Sequence, residues 1–584
     1  MSPAAPPPER FASLVALFFA RAAERGDRPF LWRKLDGSWQ SITWGQAART
    51  VASLAAALRD MGLEPGDRVM LVSENRPQWC IADLAIMAAG CVTVPAYTTN
   101  TTRDHAHIVE NSGARAAIVS TAKLAKPLLP ALARSSACEH VIAIEQGPRE
   151  RIGTLRLHDW EALIAAHPGD PAACAGQADF GREDLACIVY TSGTGGSPRG
   201  VRQHHGSILH CVAGARAIIA EDFPQGDEVF LSLLPLSHAY EHSGGQYLPI
   251  LLGAEIYYAE SLERLSANIE EVRPTIMVVV PRLFELMRAR ILKQIEKQGR
   301  LAQWLLAKAL ATRGQAPTTL IERATDTLLA LTIRRSVRGK FGGRVKALVS
   351  GGAPLNPEVG GFFQALGLTV LQGYGQTEAG PIVSCNRPRA GIAMDTVGPP
   401  LVGVEVRIAA DGEILVRGEN VMHGYWRNDA ETRAVLGDGW LHTGDVGHLD
   451  PAGRIVITDR KRDLIVNDKG DNVSPQRVEG MLTLEPEIAQ AMVTGDRRPY
   501  LVGLIVPDRE WLATLPPETD VARALTAVVD RVNTHLSVIE RVRRVLVADA
   551  PFTIEDGTLT PSLKTRRHVL RERYGARLDG LYAR

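Results

Sequence analysis

A chain of 584 residues is long enough to build several hydrophobic cores. Hydrophobic residues make up 45% and charged residues 22%, close to the globular average, which excludes a disordered or fibrous chain. With 66 basic against 65 acidic side chains the net charge is +1, which excludes a general nucleic-acid binder and makes any basic site a local one.

The chain opens on Met1-Ser-Pro-Ala-Ala-Pro-Pro-Pro, which reads as an unstructured lead-in. The apolar stretch 14–20 is closed by Arg21, Glu24 and Arg25 without a small-residue cleavage site, so it predicts an amphipathic helix and not a secretory leader. From 11 to 178 helical patterns alternate with apolar strands such as Arg68-Val-Met-Leu-Val72, Cys91-Val-Thr-Val-Pro95 and Ala116-Ala-Ile-Val119. That is the pattern of an α/β fold with parallel strands. No run reaches the roughly 18 apolar residues of a membrane span, since the longest candidate, 81–96, carries Asp83. The seven cysteines are odd in number and contain no C-x-x-C pair, which predicts reduced core residues and a cytoplasmic location.

The apolar run Leu185-Ala-Cys-Ile-Val-Tyr190 leads into Thr-Ser-Gly-Thr-Gly-Gly-Ser-Pro-Arg-Gly-Val201. Gly193, Gly195, Gly196 and Gly200 let backbone N–H groups approach an anion, Thr191, Ser192, Thr194 and Ser197 add hydroxyls, and Arg199 adds a fixed charge. Such a loop suits phosphate, with a plain surface turn as the alternative. It lacks a G-K-[ST] ending, and Pro198 stands where G-x-G-x-x-G needs its third glycine, so neither of those phosphate loops applies. A helix over 205–220 follows, then the strand Val229-Phe-Leu-Ser-Leu-Leu-Pro235, which delivers Ser237-His238-Ala239-Tyr240-Glu241-His242 to a strand end. Between 282 and 346 the chain turns helical and basic, with apolar residues interleaved as in Leu301-Ala-Gln-Trp-Leu-Leu306. This predicts either a solvated face or a surface drawn to anionic lipid.

The strand Val345-Lys-Ala-Leu-Val-Ser350 ends in Gly351, Gly352 and Ala353, where bare backbone suits a flat ligand or a tight turn. In Val370-Leu-Gln-Gly-Tyr-Gly-Gln-Thr-Glu378 an aromatic face, a hydroxyl and a carboxylate follow another strand. Tyr374 can stack on a base, Thr377 can reach a phosphate, and Glu378 is a hard oxygen ligand of the kind that holds Mg²⁺ beside phosphates. Strand-and-turn patterns over 404–408 and 413–417 predict a small β subdomain, and Asp445 lies between turn glycines where it can accept both hydroxyls of a ribose. Further on, Pro475 predicts a helix start, 490–494 and 501–506 an antiparallel pair, and Leu559-Thr-Pro-Ser-Leu-Lys564 a lysine on a loop.

Taken in order, these motifs resemble those of the adenylate-forming, or AMP-binding, superfamily, and most closely its long-chain fatty acyl-CoA synthetases. The resemblance covers nearly the whole chain. G-Y-G-Q-T-E and T-P-x-x-K match without departure, whereas the loop T-S-G-T-T-G-x-P-K-G departs twice, at Gly195 for Thr and Arg199 for Lys. It implies an α/β N-terminal domain, residues 1–460, of two sheet subdomains plus a β-barrel subdomain, followed by a small mobile α+β domain, residues 461–584. It also implies activation of a fatty acid by ATP and Mg²⁺ through an acyl-adenylate, then transfer to coenzyme A.

The nucleotide would lie among Thr191, Ser192, Gly193, Thr194, Gly195, Arg199, Gly351, Gly352, Ala353, Tyr374, Gly375 and Thr377, with Asp445 and Arg460 on the ribose. Lys564, Thr191, Glu378 and His238 are the implied catalytic set, His238 beside the acyl carboxylate and Glu378 on the metal. Arg462 is the implied hinge, and 468–475 borders the pantetheine path. Some long-chain members carry a gating aromatic four residues after the motif histidine, where this chain has His242. Two other readings stand beside this one. An acyl-AMP ligase could load a carrier protein, although no carrier domain is fused here. A regulator could keep the fold and lose turnover, which Gly195 suggests and the retention of Glu378, Asp445, Arg460 and Lys564 opposes. Acyl chain length and oligomeric state are open at this stage, as is peripheral contact with an anionic membrane.

Overall fold

The computed structural model describes residues 11–145, 153–191, 198–312, 319–461, 463–469, 471–560 and 563–583. A seven-stranded sheet runs in the order Arg156–Asp159, His140–Ala143, Ala116–Val119, Arg68–Val72, Val92–Pro95, Leu185–Thr191, Arg199–His204. All its pairings are parallel except the last, an antiparallel pair with Val189 opposite Val201. Ala116–Val119 and Val92–Pro95 are buried at every position, which is why they read as continuous apolar runs with no alternation.

A second sheet of eight strands runs from Ile382–Cys385 through Val370–Gly375, Ala347–Ser350, Ile276–Val279, Val229–Ser232, Glu255–Tyr258 and Pro29–Leu35 to Ser38–Thr43. One core cluster takes residues from both sheets and from the helices Leu14–Arg25, Trp44–Asp60 and Pro77–Ala88. Pro77–Ala88 is apolar apart from Gln78 and Asp83 and buried at eleven of twelve positions, because it has packing partners on every side. The stretch 14–20 is helical as expected, within Leu14–Arg25, and the helix at 205–220 spans His205–Asp222.

The basic region forms the helices Pro281–Lys297, Arg300–Thr312, Leu320–Leu329 and Arg335–Lys340. The expected β subdomain is an antiparallel sheet of Glu405–Ile408, Glu413–Arg417, Trp440–Leu449 and Leu436–Gly437, with Ile455–Arg460 paired on Trp440–Leu449. Its side chains share a core with Tyr374 and Val383 of the second sheet, which fixes it against the strand ends. The tail has its own cores around Ile488–Thr494 and Leu501–Pro507, paired antiparallel, with Val542–Val547 added parallel. Pro475 is the first residue of the helix Pro475–Leu482, capped by the Ser474 hydroxyl. Among the described residues no helix is long and apolar enough to cross a membrane, and all seven cysteines are buried and unpaired.

Candidate active site

A cavity of about 830 Å³ opens at the ends of the strands Leu185–Thr191, Ala347–Ser350 and Val370–Gly375. Thr191 and Arg199 stand opposite each other in the register of their hairpin and both line it. Ser192, Gly193, Thr194 and Gly195, like the hinge candidate Arg462, lie outside the described residues. Arg199 is not simply a lysine substitute. Its Nη1 donates to Glu431 Oε2 at 2.6 Å, and its guanidinium lies 4.6 Å from the centre of the Tyr425 ring. The planar guanidinium makes both contacts at once.

Tyr374, Asp445 and Arg460 form a triad at the cavity wall. The Tyr374 hydroxyl donates to Asp445 Oδ2 at 2.7 Å, and Arg460 Nε donates to Oδ1 at 3.2 Å. Burial and the Asp445 charge push the Tyr374 phenol far up, so it stays a donor. The Asp445 carboxylate is thereby held in place, on the groove that adjoins the cavity through Tyr374, Gly375, Arg460 and Lys564. Ala353 lies on that groove too, not in the cavity itself. Thr377 and Glu378 sit on one 3₁₀ turn, Thr377–Ala379, directly after the strand. Gln203 donates to the Thr377 carbonyl at 2.8 Å, and Tyr425 Oη donates to Glu378 Oε1 at 2.9 Å.

Two motif glycines are bare for the protein's own packing. A Cβ on Gly375 would lie 1.7 Å from the Pro381 carbonyl oxygen, and one on Gly351 would lie 2.7 Å from the Tyr240 ring. Gly352 has φ +81°, a left-handed turn that favours glycine. All three line the cavity, so turn, packing and ligand clearance coincide.

His238 caps a short helical turn. Its Nδ1 accepts the Tyr240 backbone N–H at 3.2 Å, so the neutral ring carries its proton on Nε2. Burial and the neighbouring Lys564 charge push its pKa down to about 3, which keeps the ring a neutral donor. Lys564 enters the same cavity from the tail, on a tight loop where Lys564 N–H bonds to Thr560 Oγ1 at 3.0 Å. Burial, with help from Arg460, lowers its pKa to about 8 against the opposing pull of Asp445 and Glu378. The other end of the cavity is apolar, lined by Ile218 and Phe223 on one side and by Ile276, Ala347 and Leu371 on the other.

Sequence reasoning missed Tyr425, Gln203, Glu431 and the apolar lining, which share no local pattern because their elements are far apart in the chain. His242 does not line the cavity. It is buried, with Nε2 bonded to Asp83 Oδ2 at 2.8 Å, so it is no gate in this arrangement. A separate cluster of Glu183, His204 and His423 is compact enough for a metal ion, yet His204 meets the Arg182 carbonyl at 2.8 Å and the Val421 carbonyl at 3.2 Å through its two nitrogens. The His204 Nδ1 also accepts the Ser207 backbone N–H at 3.2 Å as the cap of the helix His205–Asp222, so the ring is already engaged in holding the fold.

Two α/β sheets, an appended β sheet and a small tail domain that brings a half-buried lysine to the cavity lined by a carboxylate and flanked by a tyrosine–aspartate–arginine triad define an enzyme of the adenylate-binding type. The chain belongs to the AMP-binding enzyme family: that family matches residues 18–426, and its C-terminal domain matches residues 462–584. It is similar to the long-chain-fatty-acid–CoA ligase FadD15 of Mycobacterium bovis, at 31% identity over 98% of this chain and 97% of that one. It is also similar to the chloroplastic long-chain-fatty-acid–[acyl-carrier-protein] ligase AEE15 of Arabidopsis thaliana, at 28% identity over 96% and 85%. In fold it matches the adenylation domain of a carboxylate reductase from Mycobacterium chelonae, with a TM-score of 0.80 and 22% identity over 99% and 92% of the two chains.

Proposed function

We propose that this enzyme is an AMP-forming acid–thiol ligase that converts a long-chain fatty acid, ATP and coenzyme A into acyl-CoA, AMP and pyrophosphate. The observation that carries this reading is a single cavity with Lys564, Glu378 and Arg460 at one end and an apolar arm at the other. In the first step a carboxylate oxygen attacks the α-phosphorus and the bond to pyrophosphate breaks. Both reactants are anions, so fixed positive charge and preorganised donors are needed where charge builds up. Lys564 supplies the mobile ammonium, His238 Nε2–H orients the acid, Thr191 and the loop 192–195 hold phosphate, and Asp445 with Arg460 holds the ribose. In the second step the thiol sulfur attacks the acyl carbon and AMP leaves.

Glu378, a hard carboxylate on the cavity wall fixed by Tyr425, suits Mg²⁺, and phosphate oxygens and water would complete its shell. Bound there, the ion would neutralise charge on the departing pyrophosphate. The domain boundary falls at 460/461, with Arg462 as hinge and 468–475 beside the incoming thiol. Seven unpaired cysteines suit a reducing cytoplasmic setting. The exposed Leu286, Leu301, Trp304, Leu310, Leu328 and Leu331 among basic helices support a peripheral position on an anionic membrane, the source of the substrate. Pyrophosphate release with palmitate and ATP, followed by acyl transfer with coenzyme A or a carrier protein as acceptor, tests the reading. No release with any fatty acid overturns it, and transfer only to the carrier protein replaces the acceptor.

A further inference from the structure

The segment His242–Tyr247, just after His238, is a π-helix: the Leu248 N–H bonds to the Ser243 carbonyl five residues back. Wide turns of this kind are uncommon and gather at functional places, so something must favour it over an ordinary helix. On its inner side is Asp83, a carboxylate with no exposed surface, on the fully packed helix Pro77–Ala88. One oxygen, Oδ2, accepts three bonds from the segment, from His242 Nε2 at 2.8 Å, Gln246 Nε2 at 2.8 Å and Tyr247 Oη at 2.6 Å.

The spacing of those donors explains the helix type. In an α-helix residues 242 and 246 share a face, but 247 lies about 140° from 242 and could not reach the same oxygen. An i→i+5 turn brings 247 back over 242, so all three donors converge only when the segment is widened. A buried carboxylate is strongly unfavourable without such partners, so keeping them in place favours the wide turn. The residues on the opposite face are Gly244 and Leu248, and both line the cavity. A Cβ on Gly244 would lie 3.1 Å from Val278, which lines the same cavity, so the segment already stands close against the second sheet. A Cβ on Gly245 would lie 2.3 Å from a Glu241 carboxyl oxygen one turn earlier, so the turn is also closely packed on itself.

We propose that Asp83 is a positioning residue for acid recognition: by holding His242, Gln246 and Tyr247 on one face, it fixes the π-turn whose other face, Gly244 and Leu248, forms a wall of the apolar arm. Asp83 touches no substrate. It sets how far the wall stands from Val278, and through that the length and width of acyl chain the arm accepts. His242 thus contributes to acid selectivity from behind the wall. This inference rests on the proposed fatty-acid ligase reading.

The test is a chain-length profile of the full-length enzyme, as KM and kcat for acid-dependent pyrophosphate release with saturated acids from octanoate to stearate. Tyr247→Phe removes one of the three donors and keeps the ring, and Asp83→Asn keeps the shape and removes the charge. Both are expected to change the ratio of kcat/KM between the longest and shortest acids by about tenfold, mainly through KM for the acid, with KM for ATP unchanged. If Asp83→Asn does not fold, Tyr247→Phe decides alone. A merely structural role would lower kcat in proportion to the folded fraction and leave the profile unchanged, and that result, or no change at all, overturns the inference while the wild type still activates fatty acids. A wild type inactive with every acid instead overturns the function proposed above, and this inference with it.

Discussion

The residue on which the chemistry turns is Lys564, whose ammonium sits where burial and Arg460 lower its pKa to about 8. Its charged form is the one that can meet developing phosphate charge, so kcat/KM for pyrophosphate release should bend downward as pH rises through about 8. Lys564→Arg, charged throughout that range, should lack the descending limb. For stability the sign is opposite: between about 8 and the ordinary value of 10.5 the unfolded chain holds the extra proton, so stability rises with pH across that window. Lys564→Ala should slow acyl-adenylate formation by about 10²–10³-fold, the effect typical of one preorganised charge. Purified acyl-AMP given to that variant with coenzyme A should still react at near wild-type rate, and an equal loss there would detach Lys564 from the first step. Glu378→Gln keeps shape and exchanges a charged oxygen for a neutral one, so a Mg²⁺ titration should show a raised metal requirement with an unchanged melting temperature.

At the scale of elements, the strands ending in Gly351 and Gly375 were legible because apolar residues concentrate in largely buried strands and glycines punctuate their ends. What the glycines are for was only half legible. Gly375 is bare because the Pro381 carbonyl, just ahead of the strand Ile382–Cys385, crosses it, a contact set by how the chain folds back and not by residue type alone. Gly375→Ala should therefore destabilise the protein by about 1–3 kcal/mol, the usual result of forcing a methyl into a full space, and urea melts would show it even without nucleotide. The polar supports were invisible for the same reason: Gln203 reaches Thr377 across 174 positions and His242 reaches Asp83 across 159. The basic helices were legible as charge but not as shape. Their exposed leucines and Trp304 stand among lysines and arginines, so binding to anionic vesicles should fall as salt rises, since each surface cation contributes at most about 1 kcal/mol and is screened. Co-sedimentation indifferent to salt would rule out an electrostatic attachment.

For the whole molecule the question is how one cavity serves two reactions. With the proposed boundary at 460/461, Lys564 and Arg460 fall in different domains, yet the Arg460 charge helps lower the lysine pKa, an arrangement suited to the first step. In the proposed cycle the thiol reaches the acyl-adenylate once the tail domain has withdrawn that lysine. Residues around 461 join the two parts, and a rotation there must be absorbed by the φ and ψ of very few positions. Proline fixes φ near −65° and removes that freedom, so Arg462→Pro should hold the molecule in one arrangement. The state expected to be trapped is the one with Lys564 in the cavity. Pyrophosphate release from acid and ATP should then persist while transfer to coenzyme A collapses. If Arg462 is only a surface charge after the strand Ile455–Arg460, proline should instead lower stability and reduce both half-reactions alike. Measuring the two half-reactions on one folded preparation separates these outcomes, and equal losses would leave rotation about this position without support.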